Sequence, residues 1–98
     1  MPKAYVIAHV TMINPEKFTE QYGSKVEDTF KPFGGKFLVR GGNISHIEGE
    51  KLGDLDVVVE FPDTASALAW ERSAKYQAIL PGRTKNATTN YIIIDGIA

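Results

Sequence analysis

His9 sits in the middle of Ala4-Tyr5-Val6-Ile7-Ala8-His9-Val10, and an imidazole that ionises near neutrality can act as a general base or contact a ligand. The commoner role of such a histidine is a hydrogen-bonded place in a core or an interface. His46 and Glu48 fall on one face of an extended segment by their period of two. With His9 they offer the donor types of a two-histidine, one-carboxylate metal centre, but His9 is distant in sequence and no metal is expected. Arg40 precedes Gly41-Gly42, and an arginine beside glycine N–H groups suits a carboxylate or phosphate. A salt bridge from Arg40 to Glu48 or Glu60 is the alternative. Glu60 lies in the apolar run Val57-Val58-Val59-Glu60-Phe61, where burial would raise its pKa and suit it to acid or base work. A paired structural carboxylate is the more frequent outcome. Trp70, Ser73, Tyr76 and Arg83 gather within one short stretch, giving an aromatic wall, a hydroxyl and a cation suited to a small organic acid. Core packing is the commoner role for Trp70 and Tyr76. Ser73 has no nucleophile-elbow context.

The elements that must position these groups follow from local pattern. Residues 4–12 are β-branched and aromatic and read as a strand, with Ala4, Val6, Ala8 and Val10 on one face and Tyr5, Ile7, His9 and Thr11 on the other. Both faces are largely apolar, as in a strand covered on both sides. Asn14-Pro15-Glu16 starts a helix: Asn14 caps, Pro15 fits the first position and Glu16 meets the positive dipole end. Phe18, Tyr22, Val26 and Phe30 form its apolar stripe, and Pro32 with Gly34-Gly35 ends it. Residues 36–40 form a second strand, which Gly41-Gly42-Asn43 kinks before residues 44–48 resume it. A turn over residues 49–54 returns the chain as a strand over residues 55–61. Pro62-Asp63-Thr64 opens a second helix through Leu68 and Trp70. It breaks near Ser73, which caps a short further turn carrying Tyr76, Ile79 and Leu80 that Pro81-Gly82 stops. Residues 88–95 are the last strand.

The order is β-α-β-β-α-β, so the fold class expected is α+β, ferredoxin-like: one antiparallel sheet with both helices on one face. Tyr5, Ile7 and the isoleucines of the last strand would leave an apolar patch on the other face, and a second copy of the chain covering it predicts a homodimer.

Composition narrows the function classes. The 98 residues fit one domain, taken as 1–98, and a chain this short buries only about two-thirds of its unfolded surface. With 43% hydrophobic and 23% charged residues the chain reads as globular, and a net charge of −1 argues against a nucleic-acid surface. The lack of cysteine excludes disulfides and thiolate chemistry. No signal-peptide pattern or membrane span is read, so the expectation is a cytoplasmic protein with no membrane partner. No GxGxxG or Walker pattern supports nucleotide binding.

Several stretches taken together resemble a known family: Ala4 to Val10, Gly34-Gly35-Lys36-Phe37-Leu38-Val39-Arg40-Gly41-Gly42, Ile47-Glu48-Gly49, Val57-Val58-Val59-Glu60-Phe61-Pro62, Ala69-Trp70, Ser73 to Ile79 and Ile94-Asp95-Gly96. Their order and spacing are similar to the family numbered 1330 among the domains of unknown function, within the dimeric α/β-barrel superfamily. The resemblance implies that fold and a dimer, and implies no reaction. The family usually carries Pro-Glu where this chain has Ala74-Lys75, which weakens a helix start and reverses a charge there. Haem-degrading members of the superfamily pair a tryptophan with a downstream histidine; no histidine follows Trp70 here, so that activity does not carry over.

The functional expectation is a cofactor-independent protein that binds a small acidic or aromatic metabolite between sheet and helices and acts on it by proton transfer. Arg40, Trp70, Tyr76 and Arg83 would bind the ligand, and His9 and Glu48 would move the proton. The alternative is a non-catalytic dimeric binding or interaction module.

Overall fold

A computed structural model describes residues 2–98. Strand β1 (Ala4–Met12) buries Ala4, Val6, Ala8 and Val10, as its alternation requires. It is one of the two inner strands of a four-stranded sheet of order β2-β3-β1-β4, with β2 Lys36–Arg40, β3 Leu55–Phe61 and β4 Ala87–Asp95. The pairs β1–β3, β1–β4 and β2–β3 are all antiparallel. This is the expected ferredoxin-like arrangement.

The first helical segment departs from a regular helix. The Asn14 side chain caps α1 (Pro15–Phe18) by accepting from the Lys17 N–H, with Pro15 in the first turn. A π turn over Thr19–Gly23 follows, in which the Ser24 N–H donates to the Thr19 carbonyl at 2.9 Å, and then α2 (Val26–Phe30). The sequence explains the extra residue. Phe18, Tyr22, Val26 and Phe30 recur every four positions, slower than the 3.6-residue helical turn, so a uniform helix would rotate the later ones off the sheet. The wider π turn takes up the difference. Phe18, Val26 and Phe30 are buried, and Tyr22 packs against both core clusters.

Helix α3 (Thr64–Glu71) starts at Asp63, whose carboxylate accepts from the Ser66 N–H at 2.7 Å and is held below its usual range by that bond. Helix α4 (Ala74–Thr84) starts at Ser73, as expected. It is not stopped by Pro81-Gly82, which corrects the expected short turn. The reason is tertiary: a Cβ at Gly82 would stand 2.7 Å from the Gln21 carbonyl oxygen, so glycine lets α4 lie directly on the π turn. The helix closes at buried Asn86, which donates to the Gly82 carbonyl at 2.8 Å and to the Gln21 side chain at 3.2 Å.

The expected strand over residues 44–48 does not form. β2 is an edge strand, and beyond Arg40 the chain turns away through Gly41 and Gly42, whose φ angles are +72° and +94°. Residues 42–50 then run without a ladder partner, and Asp54 reties the chain by donating its N–H to the Val10 carbonyl.

All helices cover one face of the sheet, and the molecule measures 35 × 34 × 17 Å, a two-layer thickness. On the other face Ile92 and Ile94 are 52% and 46% exposed, beside Tyr5 and Ile7. Among the described residues, no helix is long and apolar enough to cross a membrane.

Candidate functional site

A cavity of about 340 Å³ lies between the sheet and the first helical segment. Its floor is Val6, Ala8 and Val10 of β1 with Val57 and Val59 of β3; its roof is Phe18, Thr19, Tyr22, Gly23, Val26 and Phe30. Trp70 also lines it. Its lining includes two short residues, Ala8 on the strand and Gly23 in the π turn, which leave space unfilled. Two buried clusters flank it, one built on Phe30, Phe61 and Trp70 and the other on Val10 and Phe18.

Two arginines reach this space by different devices. The pairing of β2 with β3 slips between Phe37 and Val39, leaving Leu38 as an extra residue. Phe37 then opposes Val59 and Arg40 opposes Val57, so both fall on the helix side. Without the bulge Arg40 would point away. Its guanidinium lies 5.2 Å from the Phe37 ring centre, at an exposed rim, and it makes no ion pair with Glu48 or Glu60. Arg83 follows Gly82, and the tight seat of α4 brings its guanidinium over Tyr22 at 5.8 Å and Tyr91 at 5.2 Å. Arg83 Nε is buried with no hydrogen-bond partner, and so is Thr89 Oγ1; both residues line the cavity.

The tyrosines there are held protonated. Burial, followed by the neighbouring Tyr76, pushes the Tyr22 phenol far above its usual range, and its hydroxyl pairs with that of Tyr76 at 2.9 Å. Burial likewise pushes Tyr91 up to about 12. Both are therefore hydrogen-bond donors at neutral pH. Unfolded tyrosines ionise near about 10, so above that pH the folded state holds protons that the unfolded state has lost. Stability should fall as pH rises from about 10 towards the folded value. Tyr91→Phe is expected to lessen that alkaline loss in urea titrations at rising pH; an unchanged profile would show that Tyr91 is not held protonated.

The residues expected to act together divide between the two sides of the sheet. Arg40, Trp70 and Arg83 line the cavity; Tyr76 is fully buried behind it and reaches it through Tyr22. His9 is on the opposite face, its Nδ1 2.8 Å from an Asp56 carboxylate oxygen across the β1–β3 pair. Glu48 lies in the unladdered segment, exposed and 3.3 Å from His46. His9 and Glu48 border a shallow open groove with each other, not the cavity. The expectation of one site between sheet and helices is thus corrected: side-chain alternation turns His9 away from the helices. Glu60 pairs with Lys3 and Lys36 on that same outer face, and the Lys3 contact holds it below its usual range. Among the described residues no three potential ligands are grouped to hold a metal ion.

Sequence reasoning missed Tyr22, Thr89 and Tyr91. Tyr22 was visible only as a member of the apolar stripe, and Thr89 and Tyr91 only as alternate positions of a strand.

The model of a family described as a domain of unknown function (DUF1330) matches residues 3–97. No curated protein matches the chain. Among solved structures, a protein of unknown function from Rhodopseudomonas palustris superposes with a TM-score of 0.77 at 15% identity, covering 99% of this chain and 84% of the other. SnoaB, a cofactor-independent oxygenase from Streptomyces nogalater, gives a TM-score of 0.70 at 10% identity over 100% and 96% of the two chains. A conserved protein from Methanosarcina mazei Go1 gives 0.63 at 26% identity over 95% and 91%.

Proposed function

This chain belongs to the DUF1330 family, a domain of unknown function, and from its cavity we propose that it binds a small aromatic or acidic metabolite and acts on it by proton transfer without a cofactor. The observation that carries the reading is the cavity itself: apolar and aromatic walls enclosing an arginine whose Nε has no partner. Pockets of small-molecule binders have this make-up, and a volume of about 340 Å³ suits a ligand of one or two rings. Arg83 would favour the ionised form of the ligand, the electrostatic part of such a reaction. The likeness in fold to a cofactor-independent oxygenase supports an enzymatic reading.

The second reading is a non-catalytic binding module. It is favoured by the lining, which among the described residues holds no carboxylate and no imidazole. The two readings share the ligand and differ in whether it is changed.

The assembly is part of the proposal. The outer face bearing Tyr5, Ile7, Ile92 and Ile94 would be covered by a second copy of the chain, giving a homodimer.

Trp70 is the single tryptophan and lines the cavity, so its fluorescence reports occupancy. Saturable quenching is expected with a naphthalene-sized probe, 1-naphthoate or 1-naphthol. Ala8→Leu, which fills the floor, should weaken it about tenfold or more. Quenching unaffected by Ala8→Leu would place the probe elsewhere and remove the basis of the reading. Product analysis of bound probe after incubation in air then separates an enzyme from a binder.

A further inference from the structure

We propose that Arg83 and Thr89 form a carboxylate subsite at the polar end of the cavity, so that the ligand is an aromatic monocarboxylate bound as its anion. The inference rests on the reading of the cavity as a ligand site and narrows its substrate class.

Two buried polar atoms without partners belong to residues that line one cavity. Arg83 Nε and Thr89 Oγ1 are both hidden from solvent and both unpaired, on residues that line the same space. Buried donors and hydroxyls are nearly always paired, and each exception asks for a missing partner. Here both exceptions fall on residues of the same cavity lining. Thr89 and Tyr91 share a face of β4 by their period of two, and the Arg83 guanidinium lies 5.2 Å from the Tyr91 ring centre. A carboxylate has two oxygens for these two donors, one for the Nε–H of Arg83 and one for the Thr89 hydroxyl.

The charge count selects a monoanion. Arginine stays cationic at every physiological pH, and no acidic residue among the described ones lines the cavity to neutralise it. Arg83 Nε is buried without a partner, and an incoming carboxylate would supply both an acceptor and a counter-charge. The second arginine, Arg40, is exposed at the rim on Phe37, where water already screens it. A doubly charged phosphate would leave one charge against apolar walls. The rest of the lining, from Phe18 and Tyr22 to Val6 and Val57, takes the ring. The tyrosine hydroxyls remain protonated, so they cannot repel the anion.

The test compares 1-naphthoate with its neutral isostere 1-naphthamide, read by Trp70 quenching in the wild type and in Arg83→Met, Arg83→Lys and Thr89→Val. Naphthoate is expected to bind about tenfold or more tightly than naphthamide. Arg83→Met should weaken naphthoate about 30-fold or more while leaving naphthamide nearly unchanged. Thr89→Val, almost the same shape, should weaken naphthoate about tenfold and provides the test if Arg83→Met fails to fold. Arg83→Lys keeps the charge but loses the Nε donor, so an intermediate loss is expected. Equal binding of the two probes, or a preference that survives both Arg83→Met and Thr89→Val, would overturn the subsite while leaving the cavity reading intact. Quenching by neither probe would overturn both.

Discussion

Replacing Trp70 by alanine is expected to remove about 3–5 kcal/mol of folding stability, because a large side chain leaves a hole that its rigid neighbours cannot close. Trp70 is 2% exposed and packs against three other rings, with centroid distances of 4.2 Å to Tyr76, 5.4 Å to Phe61 and 6.2 Å to Phe30. These come from α4, β3 and α2, so one indole on α3 ties three helices to the sheet. Its Nε1–H also donates to the Thr29 hydroxyl at 2.9 Å. Thr29 is itself buried and passes its own proton to the Val26 carbonyl at 2.6 Å. Alanine would leave that hydroxyl one bond short as well. Small domains are stable by about 5–15 kcal/mol in total, so this single change brings the protein close to unfolding at room temperature. Trp70→Phe keeps most of the ring contacts and loses the bond to Thr29, and should cost about 1–2 kcal/mol. Urea denaturation followed by far-ultraviolet circular dichroism measures both. A loss below about 1 kcal/mol for Trp70→Ala would mean that this region repacks freely and that the rings are not a rigid junction.

The architecture was legible where local rules and packing agree. Asn14, Asp63 and Ser73 cap helices in the structure because each precedes a helix-forming run and carries an oxygen that reaches an otherwise unpaired N–H. The alternation of β1 correctly assigns Ala8 and Val10 to one side and Ile7 and His9 to the other. It carries no sign of which side holds a hollow. That depends on the fold bringing Ala8 and Gly23, two short residues far apart in sequence, into the lining of one space. His9 was grouped with the cavity residues for the chemistry of its ring, and the period of two that separates it from them was the better guide. Residues 44–48 have a strand's pattern, but a strand needs a partner, and beyond the last β2–β3 pair none is at hand. Pro81 and Gly82 have a terminator's composition. The helix passes through them because Gly82 is needed for contact with Gln21, a requirement that no local rule contains. Arg40 reaches the cavity only through the bulge at Leu38, so its inclusion among ligand residues rested on charge and the structure supplies the geometry.

The double substitution Ile92→Glu and Ile94→Glu is expected to turn the proposed dimer into a monomer without unfolding it. The outer face has the layout of an interface. Ile7 opposes Val58 on one side and Ile92 on the other, and Tyr5 opposes Ile94, which makes one apolar patch across three strands. Polar pairs border it: Lys3, Glu60 and Lys36 at one end and His9 with Asp56 at the other. An apolar centre inside a polar rim is the usual anatomy of an association surface. Two carboxylates placed in that centre would lose their hydration on association with no cation opposite, so the dissociation constant should rise by a factor of about 100 or more. The helix-side core stays intact, since Tyr91 and Ile93 point to it and the substituted positions do not. Sedimentation velocity at matched concentrations, with circular dichroism as a check on folding, separates the outcomes. A wild type that is monomeric at about 100 µM, or a double variant that still dimerises, would mean that this face is not the interface. The same variant also tests whether assembly and ligand site are independent. β4 carries Thr89 and Tyr91 towards the cavity and Ile92 and Ile94 away from it. If the strand is a rigid partition, the monomer should quench with 1-naphthoate as the wild type does. If quenching fails along with the dimer while the fold persists, the two faces of β4 are coupled, and the second copy is needed to hold Thr89 in place opposite Arg83.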